Sequence, residues 1–270
     1  MSQVALYTGD CAAVMATFEP DSIDLTVTSP PYDNLRKYKG YHFDFEAIAA
    51  QLWRVTKPGG VVVWVVADAT INGSETGTSF RQALYFMGLG FNLHDTMIFE
   101  APATGAKGSN LAYWQAYEFM FVFSKGKPLI VNRIADKPNA RYGASQYKSI
   151  GGRSVNKYGR KSGELVTVAE YGYRTNVWRY ATGNNGNDPG EHPAPFPEAL
   201  ARDHIISWSN PGDVVLDPMC GSGTTGKQAV LLGRQFIGID ISAEYIEGIA
   251  RPRIEKAQLQ ARQEPLFSQL

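Results

Sequence analysis

The chain has 270 residues, of which 44% are hydrophobic, and its formal net charge is zero. This length and composition allow one large α/β domain with an insertion and a sizeable core. The longest apolar run, residues 61–67, is too short to span a bilayer, and no basic segment followed by an apolar one opens the chain. Cys11 and Cys220 form no disulfide or metal pattern, which predicts a reducing, cytoplasmic location.

The first predicted elements are a short strand over residues 5–9 and a short helix over residues 11–18. Asp10 lies between them, where an acidic residue serves as an ordinary helix N-cap. Residues 23–28 are apolar and β-branched and end in polar side chains. This pattern predicts a buried strand that delivers its C-terminal end to a binding site.

The stretch Thr28-Ser29-Pro30-Pro31-Tyr32 follows that strand and predicts a small pocket. Its prolines lack N–H donors and hold the preceding residues extended, so the nearby carbonyls have few conformations. A rigid row of acceptors beside the Ser29 hydroxyl and the Tyr32 ring suits a flat base with an exocyclic amino group. A Pro-Pro turn with a packed tyrosine is the alternative interpretation.

Basic and aromatic side chains alternate over residues 33–42, directly after this pocket. Such a loop can close over an extruded nucleotide with Arg36 and Lys37 on phosphates, although an ordinary solvated loop has the same composition. Beyond it the pattern predicts a helix over residues 43–56 that stops at Lys57-Pro58-Gly59-Gly60. A strand over 61–66, a helix over 78–90 and strands over 91–99 and 117–123 follow.

Residues 125–187 differ in character, with twelve Lys or Arg against three acidic residues and many Gly, Ser, Asn and Tyr. A basic excess of this kind is typical of nucleic-acid contact, because cations bind phosphates and Asn, Gln and Arg can read base edges. A disordered insertion is the alternative. The residues that we assign to DNA binding here are Arg141, Lys148, Arg153, Lys157, Arg160, Lys161 and Arg174.

The C-terminal part begins with His192-Pro193-Ala194-Pro195-Phe196-Pro197 and a predicted helix over residues 197–208. One histidine without a Cys or acidic cluster at ligand spacing gives no metal site. A strand over 212–216 then leads into Asp217-Pro218-Met219-Cys220-Gly221-Ser222-Gly223-Thr224-Thr225. Strand, glycine-rich turn and helix start bring backbone close to a ligand and point free N–H groups at an anionic group. The strand over 235–241 carries Asp240, placed to bind ribose hydroxyls.

The base pocket, the His-Pro segment and the glycine-rich turn, in this order, resemble the β-arrangement of the amino-group DNA methyltransferases. The resemblance covers nearly the whole chain except its middle and its C-terminal tail. It implies methyl transfer from S-adenosylmethionine (SAM) to N4 of cytosine or N6 of adenine in double-stranded DNA, without a metal. It also implies a Rossmann-like SAM-dependent methyltransferase fold, for which the predicted strands give a mostly parallel, seven-stranded sheet.

The resemblance assigns roles to individual residues. The Ser29 hydroxyl and the Pro30 carbonyl accept the amino hydrogens of the base, Pro31 stiffens the turn, and Tyr32 stacks on the flipped ring. Asp10 contacts the cofactor's adenine and His192, Pro193 and Phe196 form a wall against the cofactor. The other cofactor residues are Asp217, Cys220, Gly221, Ser222, Gly223, Thr224, Thr225 and Asp240.

The chain order is that of a circular permutation, because the base pocket precedes the cofactor half. The helix predicted over residues 243–259 must therefore return to the strand over 5–10, which predicts chain ends that lie close together. We assign residues 1–124 and 188–262 to the catalytic domain, 125–187 to an inserted target-recognition region and 263–270 to a tail.

The target base and two other classes of protein stay open, whereas C5 methylation of cytosine is excluded. Serine in the first pocket position is commoner in relatives that act on cytosine N4, which favours cytosine over adenine N6. C5 methylation of cytosine needs a cysteine nucleophile, and neither cysteine lies in a Pro-Cys pocket. A methyltransferase for RNA or a protein amide, and a DNA-binding protein with a lost active site, are the weaker alternatives. The resemblance leaves a homodimer and a cognate restriction nuclease open.

Overall fold

A computed structural model describes residues 2–31, 43–100, 113, 115–147, 165–180 and 197–267. Its strands are β1 (Val4–Thr8), β2 (Ile23–Thr28), β3 (Thr56–Val66), β4 (Thr70–Ile71), β5 (Ser74–Glu75), β6 (Asn92–Glu100), β7 (Tyr117–Ser124), β8 (Lys137–Pro138), β9 (Ser145–Tyr147), β10 (Leu165–Thr167), β11 (Tyr171–Gly172), β12 (Val177–Arg179), β13 (Val214–Asp217) and β14 (Gln235–Asp240). Its helices are α1 (Cys11–Met15), α2 (Phe45–Val55), α3 (Thr78–Leu89), α4 (Glu198–Trp208), α5 (Thr224–Leu231), α6 (Ala243–Tyr245) and α7 (Arg251–Phe267). A π-helical turn, Ile246–Ala250, joins α6 to α7.

The main sheet has eight strands in the order β1-β14-β13-β2-β3-β7-β6-β12. The five strands from β1 to β3 in that order are mutually parallel, β7 runs antiparallel to both its neighbours, and β12 is parallel to β6. The fold is therefore the predicted Rossmann-like SAM-dependent methyltransferase fold with a mostly parallel sheet. Strand β1 pairs with β14, as the permuted order requires.

The sheet contains one strand more than the seven predicted. The additional strand is β12, which lies at the sheet edge and inside the segment that we assigned to the insertion. Only three residues long, it has no alternation that sequence analysis can detect, and it forms because Trp178 is buried opposite Phe99. Strand β3 also begins earlier than predicted, since Gly59, at a φ of 82°, and Gly60 hydrogen-bond to the backbone beyond β7 and so carry the strand through this segment.

Helices cover both faces of the sheet. On one face, α1, α2 and α3 pack on the alternate β3 side chains Val62, Trp64 and Val66. The alternation of strand side chains turns Val61, Val63 and Val65 to the other face, and these are buried too. Helices α4, α5 and α7 pack together in that second layer, so β3 is buried on both sides. Within the described ranges no helix is long and apolar enough to cross a membrane.

The chain divides into two compact units. The larger comprises residues 1–132 and 176–270, and the smaller comprises Arg133–Thr175, inside the segment assigned to target recognition. The smaller unit contains the antiparallel pairs β9 with β10 and β8 with β11. Its charged residues include Arg174, which is ion-paired with Asp136, and Arg133, which lies over the ring of Tyr173. The domain boundaries assigned from the sequence stay a prediction.

Candidate active site

The two motifs that resemble a base pocket and a cofactor loop meet at one edge of the sheet. Strands β2 and β13 are parallel neighbours, paired at Leu25–Val215 and Thr26–Leu216, so their carboxyl ends lie side by side. The Thr28 hydroxyl donates a buried hydrogen bond of 2.8 Å to Oδ1 of Asp217. The Thr225 hydroxyl lies 3.4 Å from the carbonyl oxygen of Val27 and is also within hydrogen-bonding reach of Asp217, so these two acceptors share its one hydrogen. Residues almost two hundred positions apart are thereby joined directly.

The predicted acceptor row follows directly from Thr28. Pro30 is buried, whereas Ser29 and Pro31 are half-buried, so the row borders solvent at the carboxyl end of β2. Pro30 and Pro31 have no backbone N–H donors of their own. A half-buried hydroxyl beside a rigid carbonyl can accept hydrogen bonds from a planar amino group. Tyr32 lies outside the described residues.

The glycine-rich turn between β13 and α5 is closed by backbone hydrogen bonds. The Cys220 amide donates to the carbonyl of Ile239, and the Gly223 amide donates to the carbonyl of Cys220. Gly221 and Gly223 have φ values of 47° and 76°, a conformation that favours glycine. Gly223 is also the N-cap of α5, and because it has no side chain it cannot cap the amides of the first turn. Those amides suit an anionic ligand group.

Asp240 connects three segments at the end of β14. Its Oδ2 accepts a hydrogen bond from the Gly221 amide, and its Oδ1 accepts one from the Ser242 amide, both at 2.9 Å. Its backbone carbonyl accepts the Gly9 amide. Each carboxylate oxygen has two lone pairs, so both can still accept a hydroxyl hydrogen. The carboxylate thus fixes the glycine-rich turn while remaining able to bind ribose hydroxyls.

Asp10 begins the helix after β1. Its Oδ1 accepts a hydrogen bond of 2.8 Å from the Ala13 amide, so the N-cap interpretation is confirmed. A contact between Asp10 and the cofactor's adenine stays a prediction. Cys11 follows it, and burial, with the charge of Asp10 next, raises the pKa of that thiol to about 12.

The electrostatics of the site are dominated by burial of Asp217. Burial raises the pKa of this carboxyl from 3.8 to about 6, against the hydrogen bonds from Thr225 and Thr28, which lower it. Cys220 lies beside it, and burial, followed by the charges of Asp217 and Asp240, raises the pKa of its thiol well above the ordinary value. Neither cysteine is therefore a thiolate at neutral pH, and nucleophilic catalysis by cysteine is not supported.

Many assigned residues lie outside the described ranges. These are Tyr32, Arg36, Lys37, Lys148, Arg153, Lys157, Arg160, Lys161, His192, Pro193 and Phe196. Of the assigned DNA-binding residues, Arg141 is exposed in the smaller unit and Arg174 is paired with Asp136. A phosphate would have to compete with that carboxylate for Arg174. Among the residues that the structure describes, no group of three or more His, Cys, Asp or Glu is placed to hold a metal ion.

Sequence analysis missed two residues that contact the glycine-rich turn or its helix. Arg253, in the first turn of α7, donates to the Ser222 carbonyl and hydroxyl and to the Thr224 hydroxyl. Glu198, the first residue of α4, binds both Arg253 and Lys227. Neither belongs to a short motif, and the one signal was the requirement that the C-terminal helix pack back onto the sheet.

Comparison with known proteins gives consistent matches. Residues 23–251 match the sequence model of a family of N6 and N4 methyltransferases described as DNA methylase. The chain is 51% identical over 243 residues to the orphan methyltransferase M.BamHII of Bacillus amyloliquefaciens, covering 87% of this chain and 89% of that protein.

Solved structures agree in fold. The PvuII DNA methyltransferase, described as cytosine-N4-specific, superposes with a TM-score of 0.65 at 20% identity and covers 97% of this chain and 93% of its own. The SAM complex of M1.HpyAVI superposes with a TM-score of 0.62 at 23% identity and covers 93% of this chain and 100% of its own.

Proposed function

The chain belongs to the DNA methylase family of N4 and N6 amino-methyltransferases, and from that premise we propose that it transfers a methyl group from SAM to N4 of cytosine. Adenine N6 is the alternative within the same family. The identity of the residue after Thr28 favours cytosine, because serine there is commoner in relatives that act on cytosine N4. The choice of cytosine as the target base therefore rests on Ser29. The class of enzyme follows from family membership.

The residues around the glycine-rich turn fit SAM. The left-handed Gly221 and Gly223 let backbone approach a ligand, and the first turn of α5 offers amides to its carboxylate. Asp240 lies about twenty residues beyond the turn on the neighbouring strand, the arrangement that binds ribose hydroxyls in dinucleotide sites. SAM supplies an electrophilic methyl group when bound. The chain supplies its orientation.

The residues of the acceptor row act on the exocyclic amino group of the target base. The lone pair of an exocyclic amine is delocalised into the ring, so its hydrogens must be held out of plane before the nitrogen becomes nucleophilic. The Ser29 hydroxyl and the Pro30 carbonyl accept those hydrogens and favour the positive charge that develops on nitrogen. Catalysis then consists mainly of orientation, and no covalent enzyme intermediate is needed.

One observation supports this proposal most directly: the hydrogen bond from Thr28 to Asp217. Thr28 precedes Ser29, and Asp217 begins the cofactor turn, so this bond fixes the distance between acceptor row and cofactor turn. Precise spacing is what an in-line transfer needs, since small misplacements cost large factors in rate.

We also propose double-stranded DNA as the substrate, held partly by the basic smaller unit, with Arg141 exposed for phosphate contact. Arg36, Lys37 and the remaining basic residues of the insertion belong to the same proposal. A homodimer and a cognate restriction nuclease are compatible with the family and need separate tests.

The test is transfer of labelled methyl from SAM to unmethylated genomic DNA, followed by digestion and mass spectrometry of the nucleosides. N4-methylcytosine is the expected product. N6-methyladenine would reject the assignment from Ser29 and keep the mechanism. Labelling of RNA or protein controls without labelling of DNA, by protein that binds SAM, would reject the DNA substrate itself.

A further inference from the structure

A charged cluster behind the glycine-rich turn has no place in the mechanism above. It consists of Glu198 at the start of α4, Lys227 in α5 and Arg253 in α7, so it connects three helices of the same layer. Oε1 of Glu198 accepts from Lys227 Nζ at 2.7 Å and from Arg253 Nη2 at 2.6 Å. Its Oε2 accepts from the side-chain amide of Gln228 at 3.0 Å.

Arg253 extends this cluster to the turn itself. Its Nη1 lies 3.2 Å from the Ser222 carbonyl oxygen, 3.1 Å from the Ser222 hydroxyl and 3.2 Å from the Thr224 hydroxyl. The guanidinium of Arg253 therefore contacts both the turn and the first residue of α5 through Nη1, while Glu198 binds its Nη2. The side chain is only 14% exposed, so solvent competes little for these contacts.

The turn needs such a contact because of its composition. Gly221 and Gly223 flank Ser222, and glycine backbone has more conformations available than any other residue. A turn free to sample them would hold the α5 amides in the binding orientation for only part of the time, and ligand affinity falls by that fraction. The planar fork of an arginine is suited to fixing several acceptors at once.

We propose that Arg253, oriented by Glu198, is a positioning residue that holds the glycine-rich turn in its cofactor-binding conformation. The inference rests on the proposed SAM-dependent function. Two cations share one carboxylate in the cluster, so its net charge is positive. That charge lies at the N-terminus of α5 and adds to the partial positive charge of the helix end.

The test compares Arg253→Ala and Arg253→Lys with Arg251→Ala. Arg251 lies two residues earlier in the same helix and is paired with Glu247 on the surface, which makes it a matched control. We expect Arg253→Ala to raise the Kd and the KM for SAM about tenfold or more, with kcat at saturating SAM within about threefold of the parent. We expect an intermediate effect for Arg253→Lys, because one ammonium cannot span the same acceptors. Arg251→Ala is expected to match the parent.

The binding of duplex DNA separates positioning from general damage. Parent-like DNA affinity and a melting temperature close to that of Arg251→Ala support the inference when SAM binding is weakened. Folded Arg253→Ala with the parent's Kd for SAM would overturn it, as would equal losses of SAM and DNA binding. If Arg253→Ala does not fold, Arg253→Lys decides: a parent-like Kd for SAM overturns the inference and a raised Kd supports it.

The readouts also separate this inference from the proposed function. A parent protein that binds SAM but methylates no DNA refutes the DNA substrate, while the ratio of SAM affinities still tests Arg253. A parent protein that binds no SAM refutes both.

Discussion

At the scale of single residues, burial of Asp217 should make the stability of the protein depend on pH. Its carboxyl is buried at the junction of acceptor row and cofactor turn, with its pKa raised from 3.8 to about 6. A carboxyl whose pKa is higher in the folded than in the unfolded state has no ionisation penalty below the unfolded pKa. The penalty develops as pH rises through the window from about 4 to about 6 and is complete above it.

Asp217→Asn removes that penalty. We expect the free energy of unfolding of the variant, relative to the parent, to increase by roughly 2 kcal/mol between pH 4 and pH 6.5, because about 1.4 kcal/mol corresponds to each pKa unit and the penalty is not fully developed at pH 6.5. Urea unfolding at a series of pH values measures it. A difference that does not change with pH would mean that Asp217 titrates as an ordinary carboxyl.

Two threonines of β2 offer a matched pair. Both are buried on the same face of the strand; Thr28 donates to Asp217, whereas the Thr26 hydroxyl has no hydrogen-bond partner within the part of the chain that the structure describes. Thr28→Val should cost about 1–3 kcal/mol, because it removes one of the few donors to a buried carboxylate and leaves it with Thr225 and the Met219 amide. Thr26→Val should be neutral or stabilising. Urea midpoints at pH 7.5 compare the two, and equal losses would contradict the assignment of that hydrogen bond.

Ser29 is expected to act on the rate rather than on cofactor binding. Ser29→Ala removes an acceptor that is most effective in the transition state, so kcat should fall by roughly 10²-fold while the KM for SAM stays near the parent value. Ser22→Ala, at the opposite end of the same strand, is the control and should leave both constants unchanged. A rise in the KM for SAM with unchanged kcat would place Ser29 in the cofactor site instead.

At the scale of secondary-structure elements, α5 is set by how closely it approaches the sheet. A Cβ on Gly226 would lie 2.4 Å from Cε1 of Phe236 in β14 and 2.6 Å from Cδ1 of Ile254 in α7. Glycine at this position therefore lets α5 lie against both neighbours, and that fixes where its N-terminus points. Helix α3 also contains a glycine, Gly88, but a Cβ there would meet nothing within 4 Å.

These two helical glycines should respond to alanine with opposite signs. Gly88→Ala should stabilise the protein by about 0.5–1 kcal/mol, because alanine loses less backbone entropy on folding. Gly226→Ala should destabilise it by about 1–3 kcal/mol through overpacking, and it should weaken SAM binding as α5 shifts. Thermal melting and SAM titration of both variants check this. Stabilisation by Gly226→Ala would show that the layer has room for a methyl group.

The elements differ in how far their own residues predict them. Strand β3 was predictable because its apolar run is continuous, β2 and β14 because they combine apolar, β-branched residues with a polar C-terminal end, and the glycine-rich turn because its spacing is local. Strand β12 was not, since the burial of Trp178 depends on a partner strand nearly eighty residues away. Arg253 and Glu198 were missed for the same reason: their contacts join helices that are distant in sequence, and neither residue type is distinctive by itself.

At the scale of the whole molecule, the order of the motifs along the chain is independent of their order in space. Strand β1 pairs with β14 over five residues, from Val4 opposite Phe236 to Thr8 opposite Asp240. The side-chain amide of Gln258 in α7 donates to the carbonyl of Ser2 at 3.1 Å, so the C-terminal helix returns to the N-terminal segment as predicted, while the proximity of the two chain ends stays a prediction. The sheet therefore does not depend on where the chain is opened.

A permuted chain tests this. We would open the chain between Pro211 and Gly212, an exposed turn ahead of β13, and join the present ends through a Gly/Ser linker. Helix α7 continues for nine residues beyond Gln258, about 14 Å, a span that a flexible linker of roughly ten residues covers. We expect the permutant to fold and to retain methyl transfer within about threefold of the parent, since every strand pair and the Thr28–Asp217 bond are kept.

A second opening provides the control. Opening the chain between Val215 and Leu216 interrupts a buried strand that pairs with both β14 and β2. It should abolish cooperative unfolding in circular dichroism melts, because the new charged ends would lie inside the sheet. If neither permutant folds, the strand pairs are not sufficient for folding. The covalent connection from β2 to β13 would then contribute to the fold as well. Folding of the first alone would show that strand pairing and the contacts at the carboxyl edge of the sheet, among them the Thr28–Asp217 bond, hold β2 and β13 together without the covalent connection between them.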